Sequence, residues 1–356
     1  MSETVITVDC EKIKNLVAKI FVASNLNEND ALLVADNLVQ AEMRGIRSHG
    51  LVQVANYSTF MRSGKINVNA HIKQISESPS TLAFDADFAA GSVAGKFAMK
   101  KTIEKAKKTG VAISTVKNAT HFGFAAYYAL DAVQENLIGL AFTSSSFLVA
   151  PFGGYERVLG TNPICVAVPA GKRRTVVFDA ATSNAAYNKS FFAYTEGRPI
   201  PDDWGLDANG NKTTNPADIV KNGGALLPFG GYKGYGLDFI VSILTAILSG
   251  GAIGLNPDGS VFEKQNEIAY NFAAIDISRF TDVDSFKKTV DLSIDRIKSS
   301  KKLGGVDEIF VPGEIEWNLY EKSKREGIGL YQGVASEIER TIQELRISAS
   351  LDDAKK

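Results

Sequence analysis

The chain has 356 residues, 45% of them hydrophobic and 22% charged, enough for roughly two domains with a substantial core in each. Its 39 Lys and Arg nearly balance 40 Asp and Glu, for a net charge of −1, which gives no footing for nucleic acid or an anionic membrane as partner. Two cysteines, Cys10 and Cys165, are too few for a disulfide scaffold or a thiolate metal site.

The opening, MSETVITVDCEKIKN, has neither the basic nor the apolar region of a signal peptide, so a cytoplasmic location is expected. Asp9 suits the N-cap of KIKNLVAKIFVAS, where Ile13, Val17, Ile20 and Phe21 share a face. A second helix is predicted from about Glu28 to Met43, and a third from Ser48 to just before Gly64. From residue 80 the texture changes to short β-like runs: STLAFDAD, GVAISTVK, GLAFTSSS, ICVAVPA and RTVVFDAA. Helical stretches near 92–109, 123–136 and 234–249 alternate with them, the pattern of an α/β domain. Residues 199–228, rich in Gly, Asn, Asp and Pro, read as a long surface loop of the kind that usually has a function. The apolar run LDFIVSILTAILSGG is too short to span a bilayer and is expected to be a buried helix. The chain should close on an amphipathic helix, ASEIERTIQELRI, and a frayed tail, SASLDDAKK.

With Ser48 as N-cap, His49, Gln53 and Tyr57 fall at i, i+4 and i+8, so one helical face presents an imidazole, an amide and a phenol. The positive end of the helix dipole would favour a neutral, base-competent His49. The stretch alone is equally consistent with a histidine that merely begins a helix. His121, in NATHFGFAAYYA, lies on a strand-to-helix turn, a common position for functional groups in α/β folds, and also one where a histidine simply satisfies loop backbone. His71 reads as structural. The hydroxyl and amide groups of TSSSF and GTNP suit ribose or phosphate, as they would suit any loop. In VVFDAATSN, Asp179 ends an apolar strand, where a carboxylate needs a partner. GGYKGYG places Lys233 among glycines before a helix, a candidate phosphate cradle. The chain has no P-loop order, no G-x-G-x-x-G, no G-x-S-x-G elbow and no ligand set with metal spacing.

The order of these pieces goes further. RG-x-x-SHG, THFG, GTNP, FD-x-ATS, PDDWGLDANGN, YKGYGL and VPGE follow one another in the sequence. Together, from about residue 9 to about residue 330, they resemble the malate/L-lactate dehydrogenases of the second type. That family also includes ureidoglycolate and sulfolactate dehydrogenases and diketogulonate and Δ1-piperideine-2-carboxylate reductases. The resemblance implies a non-Rossmann α/β domain that binds a nicotinamide dinucleotide, spanning 76–314, with a large sheet flanked by helices. It also implies a mostly helical domain built from both chain ends, 1–75 with 315–356, and a homodimer. NAD is the expected cofactor, with NADP as the alternative.

The resemblance makes His49 and His121 the candidates for proton transfer. Asp179 is a third catalytic candidate on its own chemistry, a carboxylate able to orient an imidazole and stabilise its charged form. Arg44, Ser48, Gln53 and Tyr57 are the expected substrate-binding positions. Ser145, the stretch Asp179, Ala180, Ala181 and Thr182, the pair Lys233 and Gly234, and the turn Pro312, Gly313 and Glu314 match cofactor-contacting positions. Gln53 departs from the pattern: the family commonly has Arg there, able to grip a substrate carboxylate in a bidentate fork. Arg44 or Arg47 would then have to supply the charge, or the substrate differs from malate. The expected reaction is hydride transfer between the dinucleotide and a small 2-hydroxy or 2-oxo acid, malate/oxaloacetate or lactate/pyruvate. A reductase of a cyclic 2-imino acid or a diketo sugar acid is the alternative within the family. Outside it stand a hydrolase using Ser48 or Ser145 with a histidine, and an inactive dinucleotide-binding protein.

Overall fold

The structure, a computed structural model, describes residues 4–251 and 268–356. In chain order, β1 (Thr4–Val8) leads into α1 (Cys10–Ala23), α2 (Glu28–Met43) and α3 (Val54–Arg62). There follow β2 (Lys73–Glu77), β3 (Thr81–Asp85), α4 (Gly91–Thr109), β4 (Val111–Ala119), α5 (Ala126–Gln134) and β5 (Leu137–Thr143). Next come β6 (Ile164–Val168), β7 (Val176–Ala180), α6 (Tyr187–Thr195), β8 (Gly205–Leu206), α7 (Pro216–Val220) and β9 (Ala225–Leu226). The last elements are α8 (Tyr232–Ser242), β10 (Ile268–Asp276), α9 (Val283–Lys298), α10 (Glu314–Glu326), β11 (Ile328–Tyr331) and α11 (Gln332–Glu344).

Seven strands form one sheet in the order β2-β3-β4-β10-β5-β6-β7. Only β3 and β4 pair in parallel; every other neighbouring pair is antiparallel. This mixed sheet, flanked by helices, differs from a doubly wound parallel sheet, which accounts for the missing glycine fingerprint. β5 alternates buried and part-exposed residues along its length, whereas β10 is buried almost throughout. Continuous burial is what a central strand covered on both faces requires. Tyr270 and Phe272, two residues apart on one side of β10, pack with Phe122 and Tyr128 in an aromatic cluster.

A second core brings the chain ends together. It joins Ile13, Val17, Ile20 and Phe21 of α1, Leu38 of α2 and Val54 of α3 to Leu330, Ile338 and Leu351. Each of these side chains gains about 1.5–3 kcal/mol from leaving water. Asp9 caps α1 by accepting from the Glu11 and Lys12 N–H groups, and Asn27 caps α2. β1 pairs antiparallel with β11, tying the N-terminus to residues 328–331. The division expected between residues 75 and 76 falls inside β2, which belongs to the sheet.

Three expectations change. The third helix does not start at Ser48: residues 47–49 and 51–53 form separate 3-10 turns around Gly50, and α3 begins at Val54. His49, Gln53 and Tyr57 therefore do not share one helical face. The tail is not frayed. Leu351 and Ala354 are buried, and the Ala354 carbonyl accepts from the Asp9 N–H at 2.8 Å. The apolar run at 237–251 is not a buried helix in this chain either. On α8 the buried residues include Asp238 and Ser242, while Leu237, Phe239 and Ile240 are exposed.

Candidate active site

A cavity of about 680 Å³ opens between the two cores, within the usual range of about 300–1,000 Å³ for small-ligand sites. The C-terminal end of α2, the 3-10 turn at 47–49, the turn after β4, the ends of β5 and β7, and the turn before α10 form its walls.

His49 and His121 meet there. Their rings stack with centroids 5.3 Å apart and planes 20° from parallel. The turn carrying His121 is backed by the aromatic cluster, and the Tyr128 and Tyr270 hydroxyls donate to the carbonyls of Phe122 and Thr120. The two imidazoles have different partners. His121 Nδ1 lies 2.5 Å from the Tyr57 hydroxyl and 3.4 Å from the Gly123 N–H. A backbone N–H can only donate, so Nδ1 is an acceptor and the neutral ring carries its proton on Nε2. His49 Nδ1 lies 2.8 Å from Ser48 Oγ, a hydroxyl that can donate or accept, so both tautomers are open to it. Burial pushes His49 down to about 4 and His121 down to about 3, the latter also lowered by its proximity to His49. Both rings are thus neutral at pH 7. The cause is desolvation, where the sequence pointed to a helix dipole.

Asp179 does not hydrogen-bond to either imidazole, contrary to the orienting role expected of it. Its carboxylate accepts from the Ala126 N–H at 2.8 Å, capping the start of α5. Burial raises it to about 6, with the nearby Glu316 carboxylate adding to the rise. Arg44 lies on the cavity wall, 8% exposed, with its guanidinium 4.4 Å from the Tyr320 ring centroid and 4.9 Å from that of Trp317. It donates to Gln40 and forms no ion pair with a carboxylate among the described residues. Arg47 turns away, stacked on Tyr331 and 3.8 Å from Glu42.

Of the expected cofactor positions, Ser145, Asp179, Ala180, Ala181, Pro312 and Gly313 line the cavity. Ser145 is held from behind. Its N–H donates to Asn162 Oδ1 at 2.9 Å, and the Asn162 amide donates to the buried Asp238 and to Ser242 on α8. Thr182 is buried behind the wall, bonded to the Thr161 carbonyl. Glu314 braces its turn through Lys298 at 2.7 Å and the Val311 N–H, while the neighbouring Glu316 and Trp317 reach the cavity. Lys233 and Gly234 are not on the cavity wall, so the structure does not bring them to the histidines. Gln53 and Tyr57 lie behind the wall, and the Gln53 amide donates to the Ser48 carbonyl at 3.0 Å.

Sequence reasoning missed α6. Asn188 donates to the Ser48 carbonyl at 2.7 Å, and the adjacent Lys189 lines the cavity. The only hint was their place a few residues beyond the ATS motif, in a stretch with no distinctive spacing of its own.

The wall chemistry fits a dinucleotide. Ser145 and Thr161 hydroxyls suit phosphate or ribose, and carboxylates at Asp179 and Glu316 suit ribose hydroxyls. Val177, Pro312 and Ile315 offer flat apolar surface for a base. The profile of the malate/L-lactate dehydrogenase family matches residues 8–339.

The chain belongs to the malate/L-lactate dehydrogenase family.

Malate dehydrogenase from Pyrococcus abyssi is 39% identical over 345 residues, covering 95% of this chain and 94% of that protein. L-sulfolactate dehydrogenase from Methanocaldococcus jannaschii is 35% identical over 339 residues, with 95% and 97% covered. The solved structure of malate dehydrogenase from Pyrococcus horikoshii superposes with a TM-score of 0.87 at 36% identity, covering 97% of each chain. These relationships make the protein an oxidoreductase of small 2-hydroxy acids.

Proposed function

We propose that this dehydrogenase interconverts a small 2-hydroxy acid and its 2-oxo acid, malate/oxaloacetate or lactate/pyruvate, using NAD. The observation that carries the reading is the pair of stacked, neutral imidazoles with unequal partners. When bound, the dinucleotide supplies or accepts the hydride at its nicotinamide ring. His121, its tautomer fixed by Tyr57 and Gly123, donates Nε2–H to the substrate oxygen and polarises it. His49, free in its tautomer, takes the hydroxyl proton during oxidation and returns it during reduction. Arg44 and Lys189 are the cations available to a substrate carboxylate. Carboxylates at Asp179 and Glu316 accept from ribose hydroxyls and repel a ribose phosphate, which favours NAD over NADP.

The exposed apolar residues of α8, with Ile247 and Leu248 beyond it, support a homodimer, because a monomer has no reason to turn them to water. The two separate cores support a helical domain of both chain ends beside an α/β domain.

The test follows loss of reduced-nicotinamide absorbance with oxaloacetate, pyruvate, sulfopyruvate, diketogulonate and piperideine-2-carboxylate, each with NADH and NADPH. Dinucleotide binding without turnover of any of them leaves an inactive binding protein. Ester or amide hydrolysis without nicotinamide binding leaves a hydrolase.

A further inference from the structure

Helix α2 reaches both histidine turns through buried polar side chains. Glu42, in its last turn and 9% exposed, accepts the Leu51 N–H at 2.9 Å, just beyond His49 and Gly50. Gly50 makes room for it: a Cβ there would land on the Glu42 carboxylate. Asn37, fully buried, donates its amide N–H to the Phe122 carbonyl at 3.3 Å, next to His121. Its Oδ1 faces Gly123, where φ is +79° and a Cβ would land on that oxygen. Asn37 Oδ1 has no hydrogen-bond donor in the structure.

Neither side chain suits a helix that only has to pack. A buried acceptor without a donor and a buried carboxylate both cost stability. What they share is placement. Each polar group meets a glycine one or two residues beyond a histidine, and each grips the backbone of that turn. The two anchors lie five residues apart on one helix, about 7.5 Å along its axis. That spacing is rigid, because α2 buries Ala31, Val34, Ala35 and Leu38 on the core side and is capped by Asn27.

The structure assigns Asn37 and Glu42 a positioning role: α2 is the common support that sets His49 against His121, and their stacking depends on both anchors. The proposal rests on the proton-transfer reading given above for the two imidazoles.

The test uses three variants of the full chain. Glu42→Leu and Asn37→Leu remove the anchor, and Glu42→Gln keeps an oxygen for the Leu51 N–H. Two readouts are taken: kcat and KM with cofactor affinity, and the 15N signals of the histidine imidazoles, with exposed His71 as internal reference. Each leucine variant is expected to lower kcat by about 10–100-fold, the scale of an ångström of misplacement, with cofactor affinity unchanged. Glu42→Leu shifts the His49 signals and Asn37→Leu those of His121, while Glu42→Gln stays near the starting enzyme. Folded leucine variants with unmoved imidazole signals and unchanged kcat overturn the proposal. Should either fail to fold, Glu42→Asp and Asn37→Ser, which shorten the reach but stay polar, replace it, and the same two readouts support or overturn the proposal in the same way. The imidazole signals need no turnover, so a wild-type chain inactive on every acid sinks the reaction while leaving the positioning role still decided by them.

Discussion

Replacing Tyr57 by Phe removes one oxygen and tests the asymmetry between the two histidines. The Tyr57 hydroxyl is the short partner of His121 Nδ1 at 2.5 Å; the Gly123 N–H, at 3.4 Å, is the long one. Without the phenol, Nδ1 keeps only the weak bond, and a poorly satisfied buried acceptor costs about 1–3 kcal/mol. The Gly123 N–H still opposes a proton on Nδ1, so the ring keeps its tautomer but loses the bond that fixes its orientation. Nε2–H then no longer points steadily at the substrate oxygen. The same 1–3 kcal/mol is thereby lost from the transition state, about 5- to 150-fold in kcat/KM. Tyr57 lies behind the cavity wall, so cofactor affinity should stay within about twofold. Steady-state reduction of the preferred 2-oxo acid measures the first effect, and quenching of nicotinamide fluorescence on titration measures the second. An unchanged kcat/KM in Tyr57→Phe would refute the orienting role of Tyr57, and a His121 proton found on Nδ1 by 15N NMR would refute the fixed-tautomer account.

Further consequences are open to direct measurement. His49→Ala should lower kcat by about 10²–10⁴-fold, the usual contribution of general acid–base catalysis, whereas His121→Ala should chiefly raise KM; the reverse pattern exchanges their roles. Arg44→Met keeps contact with Trp317 and Tyr320 but loses the charge, so KM for the 2-oxo acid should rise by about 10–150-fold, the equivalent of about 1.5–3 kcal/mol. An unaltered KM in Arg44→Met together with a raised one in Lys189→Ala moves carboxylate binding to α6. Gln53, behind the wall and bonded to the Ser48 carbonyl, should leave the substrate ranking unchanged in Gln53→Arg, and a shift toward oxaloacetate would put that position in the pocket. Both imidazoles are held below their unfolded value of about 6.5, at about 4 and about 3. Below pH 6.5 the unfolded chain therefore takes up protons that the folded chain refuses. Their effect on stability is flat above about 6.5 and becomes increasingly unfavourable as pH falls toward about 4 for His49 and about 3 for His121. Thermal melts of a His49→Gln/His121→Gln variant should show a shallower acid slope, and an identical slope argues against burial as the cause.

Local pattern carried much of the fold. Short apolar runs bounded by turn residues, GLAFTSSS and ICVAVPA, mark strands, and Asp9 before an apolar 3.6-residue repeat marks the start of α1. Both site histidines were legible because each sits in a short string, SHG or THFG, whose order along the chain resembles one family. β10 was not, although it is the central strand. IAYNFAAID is buried on both sides and shows no period of two, so it looks like any apolar run. The break between His49 and α3 was hidden for a related reason. Residues 47–62 have helical spacing, but the two 3-10 turns around Gly50 are held by side chains from elsewhere in the chain, Glu42 on the Leu51 N–H and Asn188 on the Ser48 carbonyl.

By itself the sequence determined which segments prefer helix or strand, that the charge balance offers nothing to a polyanion, and that two histidines stand in distinctive turns. These follow from side chains acting on their own few neighbours in the chain. Tertiary structure alone decided the short hydrogen-bond partner of His121, a tyrosine 64 positions away, and the partner of Asp179, an amide 53 positions away. It also removed Lys233 from the cavity wall in favour of Lys189, and turned the apolar side chains of α8 outward while Asp238 went in. Hydrogen bonds and burial act over a few ångströms of space, and sequence separation does not measure that distance.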